Sequence, residues 1–120
     1  MKVAIVGSRT ASNDLREQCW KFGQTLPLDT VIVSGGASGI DTVANNIAFS
    51  RGLQTEIYPA DWKRFSKSAG MIRNRDIVKA ADVIVAFWDG KSKGTANTIE
   101  QARKAGKRVL INPVQWDDSK

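Results

Sequence analysis

The chain has 120 residues, 42% hydrophobic and 25% charged, with a net charge of +6; this suffices for one globular domain with its own core, and no apolar run approaches the ~20 residues of a membrane span. There is no histidine and a single cysteine, Cys19, which excludes imidazole acid–base chemistry, histidine triads, internal disulfides and paired-cysteine zinc sites. Catalysis, if any, would rest on Asp, Glu, Arg, Lys, Ser, Thr or backbone dipoles, and the positive charge points to an anionic partner such as a nucleotide or nucleic acid.

The first predicted element is a strand, VAIV at 3–6. Its apolar run stops at Val6 in a Gly-Ser turn, too short for the hydrophobic region of a signal peptide, so a cytoplasmic protein is expected. Leu15, Cys19, Phe22 and Leu26 then recur at helical spacing behind Ser12 and Asn13, both suited to cap a helix. TVIVS at 30–34 reads as the second strand. Ile40, Val43, Ala44, Ile47 and Ala48 form a second helical stripe that Gly52 can close. TEIY at 55–58 is the third strand, and ADWKRFSKSA at 60–69 the one long polar connection. AGMIRNRDIVKAAD at 69–82 reads as the third helix and VIVAF at 83–87 as the fourth strand. TANTIEQARKAG is the fourth helix, ending at Gly106, and VLI at 109–111 the last strand. The C-terminal QWDDSK reads as a tail or a subunit contact. Most of the strands are continuously apolar, as strands covered on both faces are. The alternation predicts one α/β domain over residues 1–120, a three-layer Rossmann-like sandwich around a five-stranded parallel sheet.

Three strands run into small-residue turns at the carboxyl edge, where open parallel sheets bind their ligands. They are Gly7-Ser8-Arg9, Ser34-Gly35-Gly36-Ala37-Ser38-Gly39 and Asp89-Gly90-Lys91-Ser92-Lys93-Gly94-Thr95. Glycine admits an oxyanion close to backbone N–H groups, and the helix that follows adds its dipole. The expectation is a cradle for phosphate or ribose-phosphate. Asp41, in the first turn of the second helix, is either a partner of that dipole or a hydroxyl-binding acid. Gly35-Gly36-x-x-Gly39 is not G-x-G-x-x-G, and Gly90-Lys91-Ser92 lacks the earlier P-loop glycine, position 85 being Val85. Neither a dinucleotide dehydrogenase nor a P-loop NTPase is supported.

AIVGSR, VSGGASGID, RNRDIV and GTANTIEQARKAG, in this order and spacing, resemble the SLOG superfamily over roughly residues 2–112. That superfamily holds the DprA-type DNA-processing proteins, the LOG-type phosphoribohydrolases and small stand-alone members related to YspA and YpsA. YPADW and ADVIVAFWDGKSKGT bring the chain nearest to the stand-alone group. The resemblance implies a Rossmann-like fold that binds a nucleotide or nucleotide-derived molecule, with homo-oligomers common and no cofactor or metal called for. Binding roles map onto Gly7, Ser8 and Arg9, onto Ser34, Gly35, Gly36 and Gly39, onto Arg73 and Asn74, and onto Gly94 and Thr95. LOG-type hydrolases place a catalytic glutamate three residues after the threonine of a G-G-x-G-T-x-x-E motif. Here that position is Thr98, the nearest acid is Glu100, and Lys91-Ser92-Lys93 replaces the preceding glycines. The departure argues against LOG-type catalysis.

Several residues carry two readings. Arg73 reaches the ligand or pairs with Asp76, and Arg75, two positions on, points elsewhere. Glu100 is a catalytic candidate or an i,i+4 partner of Lys104. Asp89 contacts a ribose or shapes its turn. Trp62 and Trp88 stack on a base or pack, packing being the first reading for Trp88. Trp20 and Trp116 are candidate oligomer contacts, and Cys19 is core. The leading functional expectation is binding, sensing or sequestering of a nucleotide-derived ligand, ADP-ribose-like or a cyclic nucleotide. The alternatives are a nucleotide N-glycosidase using Asp41, Asp89 or Glu100, and a DprA-like binder of single-stranded DNA using RNR and the lysines of the 60s and 90s.

Overall fold

The computed structural model describes residues 1–117. The chain runs β1 (Lys2–Gly7), α1 (Asn13–Gly23), β2 (Val31–Ser34), α2 (Ile40–Arg51), β3 (Gln54–Ile57), a short α3 (Trp62–Phe65), a 3-10 turn (Ser66–Ser68), α4 (Ala69–Ala80), β4 (Val83–Phe87), α5 (Lys93–Lys104) and β5 (Arg108–Ile111). All five strands are parallel, in the order β3-β2-β1-β4-β5. The predicted α/β sandwich with a five-stranded parallel sheet is the fold observed.

Strand alternation divides the core between the two faces. Val3, Ile5, Val83, Val85 and Phe87 meet Cys19 and Phe22 of α1 and Ile40, Ala44 and Ile47 of α2. Phe22 and Phe87 pack with ring centroids 5.6 Å apart. Ala4, Val6, Ile84 and Ala86 meet Ile77 and Val78 of α4 and Ile99 and Ala102 of α5. Burial pushes the Cys19 thiol up to about 12, so it is an inert core residue.

The helix ends follow local chemistry. Ser12 is the N-cap of α1, its side chain accepting from the Leu15 N–H, and Gly52 closes α2 in the left-handed region at φ 67°. Burial on both faces holds for the central strands, whereas β3 and β5 are edges with exposed positions. The 60–69 connection is not a plain loop. Asp61 accepts from the Arg64 N–H at 3.1 Å and starts α3. Trp116 folds back onto the α1/α2 face: its backbone N–H donates to Thr25 Oγ1 at 2.7 Å, and the Arg108 guanidinium sits 5.8 Å from its ring centroid. Of QWDDSK, positions 118–120 lie outside the described residues. Among the described residues no helix is long and apolar enough to cross a membrane.

The strand order positions the site. β1 connects toward β2, and β4 toward β5, although β1 and β4 are neighbours. The two chain directions diverge there and leave a crevice at the carboxyl edge, the general ligand position in such sheets.

Candidate functional site

Three loops and one helix build the crevice. The loops after β1 and β2 interlock: the Ile40 N–H donates to the Ser8 carbonyl at 3.2 Å. Gly39, at φ +75°, permits this, since a Cβ there would lie 2.2 Å from the Ser8 carbonyl oxygen. The loop after β4 is shaped by Asp89, which accepts from the Lys91 and Ser92 N–H groups, both at 2.8 Å, and from the Ser92 hydroxyl at 3.2 Å. The Ser92 and Lys91 amides hold the Asp89 carboxyl below the usual carboxylate range. Asp89 is thus a turn-former. The Trp88 indole N–H donates to the Ser92 carbonyl at 3.0 Å, and its ring packs on the α4/α5 face, the packing reading. Ser8 Oγ and Ser92 Oγ, 2.8 Å apart, join the first loop to the last.

Helix α4 sends Arg73 across the crevice. Its Nη1 donates to the Gly35 carbonyl at 3.0 Å and its Nε to Asn74 Oδ1 at 3.1 Å. A guanidinium carries five N–H donors, so three remain without a protein partner among the described residues. Asn74 Nδ2 donates in turn to the Gly94 carbonyl at 3.3 Å and to Asn97 Oδ1 at 3.2 Å, and Gln101 Nε2 donates to Asn97 Oδ1 at 2.8 Å. This amide clasp ties α4 to the first turn of α5. It was not visible in the sequence, because pairing between helices depends on how they cross. Arg75 pairs with Asp76 at 3.9 Å on the surface, so the alternative partner goes to Arg75 and Arg73 stays in the crevice.

Beneath Arg73 lies Asp41, buried, with Oδ2 accepting from the Ala37 N–H at 3.0 Å. Burial pushes its pKa above the usual carboxylate value; the Ala37 amide and then the Arg73 and Arg9 charges pull the other way. Burial also works against the Arg73 charge, and Asp41 supports it.

The crevice holds two adjoining cavities. One, of about 410 Å³, is lined by Ser8, Asp41, Lys67, Ser92, Thr95 and Thr98 among others. The second, of about 300 Å³, is lined by Gly35, Gly36, Ser38, Pro59 and Ala60. Arg9, Ala37, Trp62 and Arg73 line both. The Arg9 guanidinium sits 5.8 Å from the Trp62 ring centroid, and the pair marks the boundary between the cavities. Helix α5 opens onto the larger cavity through Ser92, Gly94 and Thr95, with no side chain capping its N-terminus.

The sequence-derived set therefore divides. Gly7, Ser8, Arg9, Asp41, Arg73, Gly94 and Thr95 line the first cavity; Gly35 and Gly36 line the second. Ser34 and Gly39 are buried behind the loops, and the Asn74 amide is engaged in the clasp. Glu100 lies on the surface, 3.3 Å from Lys104. Thr98 occupies the cavity wall at the position where the LOG-type motif has its glutamate. Among the described lining residues Asp41 is the sole carboxylate. Ser38 and Ser92, members of the second and fourth-strand loops, and Lys67, one of the lysines of the 60s, complete the cavity walls.

A family model for DNA recombination-mediator protein A matches residues 1–57. The chain is 39% identical over 119 residues to the gene 61 protein of Mycobacterium phage D29, covering 91% of this chain and 94% of that protein. The structure of DNA processing protein A from Streptococcus pneumoniae superposes with a TM-score of 0.79 at 30% identity, over 92% of this chain and 49% of that one. The Helicobacter pylori DNA processing protein A, described for its single-stranded DNA binding mode, superposes with a TM-score of 0.69 at 25% identity, over 92% of this chain and 64% of that one. This chain thus spans nearly all of the phage protein but about half of the Streptococcus structure. Sequence motifs, strand order and these likenesses agree: the chain belongs to the SLOG superfamily of Rossmann-like domains, with DprA-like relatives.

Proposed function

We propose that the crevice binds the phosphate-bearing part of a nucleotide. The observation that carries this reading is Arg73, held by the Gly35 carbonyl and Asn74 with three donors left over, beside the uncapped N-terminus of α5. A fixed guanidinium and a helix N-terminus are both well suited to donate to phosphate. Thr95 adds a hydroxyl in the same cavity, and the half-exposed Trp62 offers a face on which a base can stack. Hydrolysis of an N-glycosidic bond by the LOG-type arrangement has little support, because Glu100 is outside the crevice and Thr98 stands in the catalytic position.

Isothermal titration of thymidine 5′-monophosphate against thymidine tests the reading. The nucleotide is expected to bind at least tenfold more tightly, and Arg73→Gln to remove the difference. Equal binding of the two ligands would overturn the phosphate assignment.

A second reading makes the nucleotide part of a DNA strand. It is supported by the likeness to the Helicobacter pylori protein and by Arg9, Lys67, Lys91 and Lys93 in and around the crevice. Self-association, also expected from the resemblance, would use apolar side chains left outside the core, notably Leu28 and Phe49. Sedimentation velocity at two protein concentrations tests it: a single species with monomer mass at both would remove the expectation.

A further inference from the structure

We infer that the crevice is a two-unit site: it takes two nucleosides joined through phosphate, one in each cavity, with the linking phosphate at Arg9 and Arg73. The inference rests on the nucleotide reading and extends it to the second cavity.

The two cavities differ in a way that suits this division. The larger holds the anion-binding features: the α5 N-terminus, Lys67 and the Thr95 hydroxyl. A terminal phosphate belongs there, and it keeps Arg73 as a neighbour because Arg73 lines that cavity too. Among the described residues the smaller has no charged side chain of its own. Its walls are Gly35, Gly36, Ser38, Pro59 and Ala60, and the charges it shows among those residues are the two arginines shared with its neighbour. A neutral chamber with cations at its mouth fits a nucleoside whose phosphate stays at that mouth. Arg73 is suited to the linking position, because its Nη1 and Nε are fixed by Gly35 and Asn74 and the remaining donors serve both cavities. Arg9 lies over Trp62 on the same boundary. At about 300 Å³ the second cavity alone reaches the lower end of the volume typical of a small-molecule site, and a mononucleotide in the first cavity would leave it unfilled. The joined units can come from a free dinucleotide or from two successive residues of a DNA strand.

The test compares thymidine 5′-monophosphate (pT), its 5′-phosphorylated dinucleotide (pTpT) and its tetranucleotide by titration calorimetry. It uses the wild type and Ala60→Trp, which fills the second cavity without adding a charge beside Arg9 and Arg73. The dinucleotide is expected to bind at least tenfold more tightly than pT. In Ala60→Trp that advantage should vanish while pT affinity stays within threefold. Should Ala60→Trp unfold, Ser38→Trp obstructs the same cavity from an exposed position and serves in its place. The inference is overturned if pT binds and pTpT is no tighter, or if the substitution weakens both ligands equally. Absence of binding by both ligands overturns the nucleotide reading itself. A tetranucleotide that binds as tightly as pTpT identifies a strand open at both ends. One that binds tenfold more weakly identifies a free dinucleotide, and both results support a two-unit site.

Discussion

Asp41 shows most clearly what a single residue does in this crevice. Its carboxyl is buried beneath Arg73 and bonded to the Ala37 amide, and burial raises its pKa above 3.8. The folded state therefore holds the proton more tightly than the unfolded chain. Its contribution to stability is fully present below the unfolded value and is lost as pH rises through the folded one. Asp41→Asn keeps an oxygen for the Ala37 N–H and removes the charge. The melting temperature of Asp41→Asn relative to wild type should therefore climb as pH goes from about 4 to 7, where a surface carboxylate would give a flat difference. Thermal scans across that range decide the point. Glu100 is the opposite case. Thr98 faces the cavity, and two further residues turn the helix by roughly 200°, so Glu100 faces away, exposed and paired with Lys104. Glu100→Gln should cost at most a few tenths of a kcal/mol of stability and leave nucleotide affinity within twofold. A larger affinity loss in titration would reopen the hydrolase reading. The Thr98/Glu100 distinction was legible in the sequence, because helix geometry alone sets it. The engagement of the Asn74 amide was not, because its partners Gly94 and Asn97 belong to another helix.

At the scale of elements, chain order was readable because most strands are short apolar runs and α1, α2 and α5 carry end signals at Ser12, Gly52 and Gly106. Helix α3 escaped because four residues, three of them polar or amphipathic, cannot display a helical period. Its existence depends on the Asp61 cap, a local bond that many loops also make. The element contact that matters most for the site is α4 against α5. Asn97 Oδ1 accepts from both Asn74 Nδ2 and Gln101 Nε2, at 3.2 and 2.8 Å, and so anchors the residue that aims Arg73. Asn97→Ala strips the acceptor from two amides in a part-buried place, a loss of about 1–2 kcal/mol. It should also loosen Arg73, so that nucleotide affinity falls several-fold beyond any effect of unfolding. Asn97→Asp restores an acceptor and should recover most of both. Chemical denaturation gives the stability change and calorimetry the affinity. An Asn97→Ala protein with normal affinity would mean that Arg73 keeps its aim without the clasp.

The whole molecule carries +6, and two pictures of how it meets an anion differ in their salt dependence. If the basic surface as a whole attracts a DNA strand, many Lys and Arg side chains neutralise phosphates together. Releasing counterions from six phosphates would give a slope of log K against log salt near about −4 for a single strand. If the crevice does the binding, the participating cations are few: Arg9, Arg73 and Lys67 line it, alongside a neutral helix terminus. Two to three phosphates then give a slope of only about −1.4 to −2. The crevice reading also limits what a longer ligand gains, since phosphates beyond the two cavities meet exposed surface lysines such as Lys91 and Lys93 rather than a fixed guanidinium. The prediction is a shallow slope, near about −2 or flatter, for oligothymidylate measured between about 50 and 200 mM salt. Arg73→Gln should make it shallower still, by close to one phosphate's share. A slope near about −4 that Arg73→Gln leaves untouched would assign binding to the diffuse surface charge and take it away from the crevice.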